Sequence, residues 1–116
     1  MEKINEFELN YRNGASGVKY FFRGEYYEWG KILLKSGEKL DEHYHAEVEE
    51  TFHLLSGEAI LMVNGNPVEM KEGDVIKLSA KERHTLVNHA QNDALVLFIK
   101  APYNPDDKVM VDKAVY

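Results

Sequence analysis

His43 and His45 are the first residues in this chain whose type and spacing suggest chemistry. Two residues apart on a β-strand point to the same face, about 6.6–6.8 Å apart along the chain. Two imidazoles so placed converge on one ion. On a helix the same spacing splays them about 200° apart, so the pair makes sense only on extended chain. Glu50 heads the next apolar run and shares its parity with Phe52 and Leu54. A carboxylate at the head of an inward face is costly to bury unless a cation sits beside it. His84 opens a later run, with Leu86 and Asn88 on its side. Three imidazoles and a carboxylate are the makings of a divalent-metal site.

The chain has no Cys, so such a metal is held by nitrogen and oxygen alone. The remaining histidines fall outside the set. His53 has the opposite parity to Glu50, and His89 alternates away from His84. Glu47 and Glu49 read as solvated acids in the turn before Glu50. Asn88 reads as a residue that fixes its strand. Lys81 and Arg83 flank His84 and are within reach of an anionic substrate, although strand alternation turns Arg83 towards solvent. No acid–base pair outside the four stands out.

The elements that must position these residues are short. Glycines at 24, 37, 57, 65 and 73 separate runs rich in Val, Ile, Leu, Phe and Tyr, the pattern of an all-β sandwich or barrel. Strands are expected at Lys19–Arg23, Tyr27–Lys35, Glu42–His45, Glu50–Leu55, Ala59–Val63, Val68–Met70, Val75–Leu78, Thr85–His89 and Ala94–Lys100. Asn64-Gly65 is the strongest hairpin signal, since both residues tolerate positive φ. No window of the first hundred residues has a helical period. After Pro105 the chain reads two ways: Val109 and Val111 alternate like a strand, while Asp106 suits a helix cap. The aromatic cluster Tyr20, Phe21, Phe22, Tyr26, Tyr27 and Trp29 reads as core or interface rather than a substrate box.

At 116 residues the chain suits one domain. Its 20 acidic and 14 basic residues leave a formal charge of −6. With no basic stripe, nucleic acid is an unfavourable partner. No apolar run reaches the length of a membrane span, and the start, Met1-Glu2-Lys3-Ile4-Asn5-Glu6, is too polar for a signal peptide. A cytoplasmic protein is the expectation.

The spacing also carries a family resemblance. Gly37, five residues, His43-Tyr44-His45, four residues, Glu50, six residues and Gly57 resemble the first cupin motif in full. Gly73 followed by His84 and Asn88 resembles the second, with Ser79 and Lys81 standing where the family usually has Pro and Gly. The resemblance implies a single cupin domain over 1–116, with motif 1 at 37–57 and motif 2 at 73–88. An N-terminal strand segment (1–35) and a C-terminal tail (104–116) flank the motifs. It implies an all-β, cupin-type antiparallel β-barrel (double-stranded β-helix, or jelly roll). It also implies one divalent transition metal (Mn, Fe, Ni, Co, Zn or Cu) on His43, His45, Glu50 and His84, the four residues reached by parity. Cupins commonly pair through exposed strands, and an aromatic N-terminal segment needs its edge covered, so a homodimer is expected. A small-molecule ligand is the implied partner. Three functions fit: an enzyme whose metal meets substrate oxygens (dioxygenase, isomerase or lyase), a sugar- or carboxylate-binding module, or a barrel stiffened by a structural metal.

Overall fold

In the strands that carry the core, side chains alternate between buried and less buried positions. The structure, a computed structural model, describes residues 1–111; the last five residues of the tail named above lie outside the described residues. Its strands are β1 (Gly17–Arg23), β2 (Glu28–Leu34), β3 (His43–His45), β4 (Glu49–Ser56), β5 (Ala59–Val63), β6 (Asn66–Met70), β7 (Val75–Leu78), β8 (His84–Val87), β9 (Ala94–Ala101) and β10 (Lys108–Met110). They form two five-stranded sheets, β1-β2-β9-β4-β7 and β10-β3-β8-β5-β6, with every pairing antiparallel. The expected barrel is thus a double-sheet jelly roll, two sheets closing on one core rather than a single hydrogen-bonded ring.

The core lies between the sheets. Phe52, Leu54, Val96 and Phe98 come from the first sheet and Leu61 and Leu86 from the second, all at most 1% exposed. Each such side chain contributes about 1.5–3 kcal/mol when taken out of water. These residues lie two apart on their strands, which is why the parity of Glu50 and His84 carries both residues inward with the core.

Two turns show what sets the register. Asn64 (φ 50°) and Gly65 (φ 82°) both take positive φ between β5 and β6, the hairpin expected from their types. At Gly57 (φ +84°) a Cβ would stand 2.2 Å from the Asp93 carbonyl oxygen, so only glycine lets β4 end against that segment.

Most departures from the sequence-based strands are of one or two residues. The expected Thr85–His89 strand starts instead at His84 and ends at Val87. It stops because Asn88, fully buried, turns the chain: its amide nitrogen donates to the Leu34 and Asn92 carbonyls (2.9 and 2.8 Å), and its oxygen accepts from Ala90 N–H (2.9 Å). The segment after Pro105 resolves in favour of a strand, β10, paired with β3. The first hundred residues hold one helical feature, a 3₁₀ turn at Glu6–Glu8, where Asn5 caps the Phe7 N–H. It is too short to have a period. No helix of the described residues is long and apolar enough to cross a membrane.

Candidate metal centre

β3 is three residues long and alternates in, out, in: His43 and His45 face the interior on either side of Tyr44. His84, at the head of β8, is the direct antiparallel partner of His43. Glu50 enters from β4 in the opposite sheet. The site therefore bridges the two sheets. Its four side chains are buried, at 2–6% exposure, and each offers one ligand atom such that all four lie within 4.8 Å of one another. His53 faces outward, half-buried, and His89 is exposed, so both stay outside the cluster as their parity indicates. Glu47 and Glu49 are exposed, as expected of the turn.

The hydrogen bonds decide which nitrogens face the cluster. His43 Nδ1 lies 2.8 Å from the Asp41 carbonyl oxygen, and His84 Nδ1 lies 2.9 Å from that of Glu82. A carbonyl oxygen only accepts, so both Nδ1 atoms carry the proton. In the neutral ring this leaves Nε2 with a lone pair directed into the site, the tautomer a metal needs. His84 Nε2 and His45 Nε2 each lie 3.2 Å from Glu50 Oε1. A lone pair facing a carboxylate oxygen at that distance is repulsive unless a proton or a cation intervenes. Adjacent donors on an ion about 2.1 Å from each stand roughly 3.0 Å apart, and opposite donors roughly 4.2 Å. The cluster is within roughly half an ångström of that arrangement, so the residues fit a divalent ion.

Electrostatics point the same way. Burial opposes charge on His43 and outweighs its bond to Asp41, holding the imidazole at about 4 against an ordinary 6.5. Burial would raise Glu50, but while no metal is bound a proton shared with His45 and His84, together with the positive charge of Lys100, more than offsets it, holding the carboxyl at about 2. The donors thus include the His43 ring, free of a proton on its inward nitrogen, and an ionised carboxylate.

Lys100, which parity alone would have flagged beside Phe98 and Val96, was not among the sequence-predicted site residues. It pairs across the sheet with Glu50 on one side and Glu28 on the other, and Glu28 pairs with Arg23. Charge thus alternates along one row from Arg23 through Glu28 and Lys100 to Glu50. Lys100 Nζ donates to Tyr20 Oη (3.0 Å) and forms an ion pair with Glu28 Oε1 (3.1 Å). Burial works against its charge, but Glu50, Tyr20 and Glu28 prevail and raise its pKa. Tyr20 also corrects the reading of the aromatic cluster: it stacks edge-on to Phe98 and lines the cleft. Phe21 packs on Trp29, while Tyr26 is 76% exposed.

Asp107 is the second residue the sequence did not disclose. Its buried carboxylate accepts from Glu47 N–H and Val48 N–H (both 2.9 Å), clamping the turn that joins His45 to Glu50. Burial opposes its charge, but these N–H donors hold the carboxyl below its usual value. No local motif announces a clamp made 60 residues away.

A cleft of about 270 Å³ opens onto His43 and Glu50, and one of about 170 Å³ reaches His45. Arg12, Tyr20, Lys100 and Lys108 line both. Larger, more open hollows of about 510 and 660 Å³ lie by Glu58 and Lys71, away from the four residues, and His89 lines the first of them. Lys81 and Arg83 line neither cleft at the cluster.

A cupin-domain family model matches residues 30–100, spanning both motifs. The chain belongs to the cupin family. This cupin is similar to TcmJ, a tetracenomycin polyketide synthase protein of Streptomyces glaucescens, at 30% identity over 66% of the chain, and it spans about half (51%) of that relative's length. Among solved structures it resembles a double-stranded β-helix protein from Klebsiella pneumoniae (TM-score 0.82, 19% identity, 97% of this chain and 99% of that one). It also resembles the Streptomyces protein PAC13, solved with uridine (TM-score 0.77, 16% identity, 97% and 92%). At these identities the two structures speak for the fold.

Proposed function

We propose that His43, His45, Glu50 and His84 of this cupin hold one divalent transition metal (Mn, Fe, Co, Ni, Zn or Cu) and that the protein is a metal-dependent enzyme acting on a small oxygen-rich molecule. The observation that carries this reading is the pair His84 Nε2 and Glu50 Oε1, two acceptors 3.2 Å apart in a buried site. When bound, the metal supplies Lewis-acid polarisation of substrate oxygens, the common requirement of dioxygenase, isomerase and lyase chemistry. Four protein donors leave about two positions on a six-coordinate ion. The chain's own residues do the rest. Asp41 and Glu82 carbonyls orient the rings, the row through Lys100 balances the Glu50 charge, and Tyr20 presents a hydroxyl to the cleft.

One observation favours the second reading, a binding module. Lys100 is held protonated and Tyr20 is tied to it, so the polar groups next to the cluster suit holding a ligand as well as transforming it. Calorimetric titration of the metal-loaded protein with oxalate separates the readings, with His84→Ala as control. Binding to the intact site alone is expected. Binding that survives in the His84→Ala protein supports the module, and no binding of oxalate, 2-oxo acids or catechols supports a structural metal.

A further inference from the structure

The cleft beside the four residues is unusually positive for so acidic a chain. The protein carries −6 overall with 14 basic residues, yet Arg12, Lys39, Lys100 and Lys108 all line this one space of about 270 Å³. Among the described residues, the only carboxylates lining it are Asp41 and Glu50. Glu28, which lines the adjoining cleft, is already engaged by Arg23 and Lys100. Among the described residues no carboxylate lies within ion-pair distance of the Arg12, Lys39 or Lys108 side chain.

The cations arrive from three separate elements, which a merely solvated charged face would not require. Arg12 sits in the N-terminal turn closed by the Tyr11–Gly14 bridge, and its N–H is fixed to the Val18 carbonyl at 2.8 Å. Lys108 is on β10 directly opposite His45. Lys100 is on β9 directly opposite Glu50. The two lysines are thus each one strand away from a residue of the cluster. Donors remain to be used: Lys100 gives an N–H to Tyr20 and is ion-paired with Glu28, and Tyr20, accepting from Lys100, keeps its own O–H.

We propose that Arg12, Lys100 and Lys108 form a seat for an anionic group, a carboxylate or a phosphate, carried by the small molecule whose other oxygens reach the His43–Glu50 side of the cleft. The proposal rests on the metal reading above and narrows it to substrates with an anionic end distinct from the chelating oxygens. The cleft volume suits a small metabolite rather than a polymer. Arg12 and Lys108, exposed at the rim, would also draw anions in, an effect that fades with salt.

Matched probes test this by calorimetry on the metal-loaded protein. Pyruvate and 2-oxoglutarate share a chelating 2-oxo acid, and the second adds a carboxylate. Glycerate and 3-phosphoglycerate share a 2-hydroxy acid, and the second adds a phosphate. The added anion should tighten binding by about tenfold in one pair at least, as expected for a charge-assisted contact. Which pair gains identifies the anion. Arg12→Gln and Lys108→Gln, both changes of exposed side chains, should each abolish most of that gain. They should leave the affinities for pyruvate and glycerate within about twofold and the metal content unchanged. No gain in either pair overturns the proposal while leaving the metal reading intact. So does an equal loss for both members of each pair in the variants. If the protein takes up no metal, the same titrations in the His84→Ala background decide. Residual binding of 2-oxoglutarate or 3-phosphoglycerate that Arg12→Gln removes upholds the seat, and its absence overturns it.

Discussion

His43 and Glu50 are ionisable groups whose ordinary proton affinities are overridden by where they sit, and both shifts act in the same direction on stability. His43 is held at about 4 against 6.5, so between those values the unfolded chain binds a proton the folded chain does not. Stability therefore falls as pH drops from 6.5 to 4. Glu50 is held at about 2 against 4.5, and the unfolded carboxyl again protonates first, so a second loss runs from 4.5 down to 2. Each full shift is worth on the order of 3 kcal/mol. The metal-free protein should lose urea resistance continuously on acidification from pH 6.5, measured as the unfolding midpoint at stepped pH. A flat midpoint between pH 6.5 and 4 would mean that His43 is not buried as described. Bound metal needs the His43 ring free of its inward proton, so metal release should begin only as the pH nears about 4, where the folded site takes up that proton.

At the scale of elements, the approach to β8 shows how a departure from a motif is absorbed. Lys81 stands where cupins usually have Gly, and it takes the glycine conformation anyway, at φ 72°. Its N–H is fixed to the His45 carbonyl (2.6 Å), and Glu82 closes the turn by accepting from Ser79 N–H (2.7 Å). A side chain in the left-handed region costs about 1–2 kcal/mol, part of which glycine returns through the entropy of the unfolded chain. Lys81→Gly should therefore stabilise the protein by about 0.5–1 kcal/mol in denaturant titration, with metal binding unaltered. Destabilisation would show that the lysine side chain itself holds the loop. The motif positions were legible in the sequence because strand parity and glycine spacing are local. His43, His45, Glu50 and His84 follow from counting by two. Asp107 and Arg12 were not legible, since each meets its partners only after the chain has returned across the sheets. Lys100 was within reach of the same parity argument, one step beyond Phe98.

Over the whole molecule, the two sheets leave β1, β7, β10 and β6 as outer strands. β1 is seven residues long and lies near exposed Phe7, Tyr26 and Tyr27. A strand edge of that length with aromatic surroundings favours pairing with a second copy. Light scattering should give about twice the chain mass of 13.4 kDa, and a monomer at micromolar concentration would contradict that expectation. The central claim, a metal held by three histidines and one glutamate across two sheets, is tested most directly by elemental analysis. The intact protein, His45→Ala and His53→Ala are each loaded with divalent metal and exhaustively dialysed. The account predicts about one ion per chain in the intact protein and in His53→Ala, and a loss of affinity of about 100-fold or more in His45→Ala, where a buried donor is gone. Equal metal content in the two variants, or none in the intact protein, would contradict it.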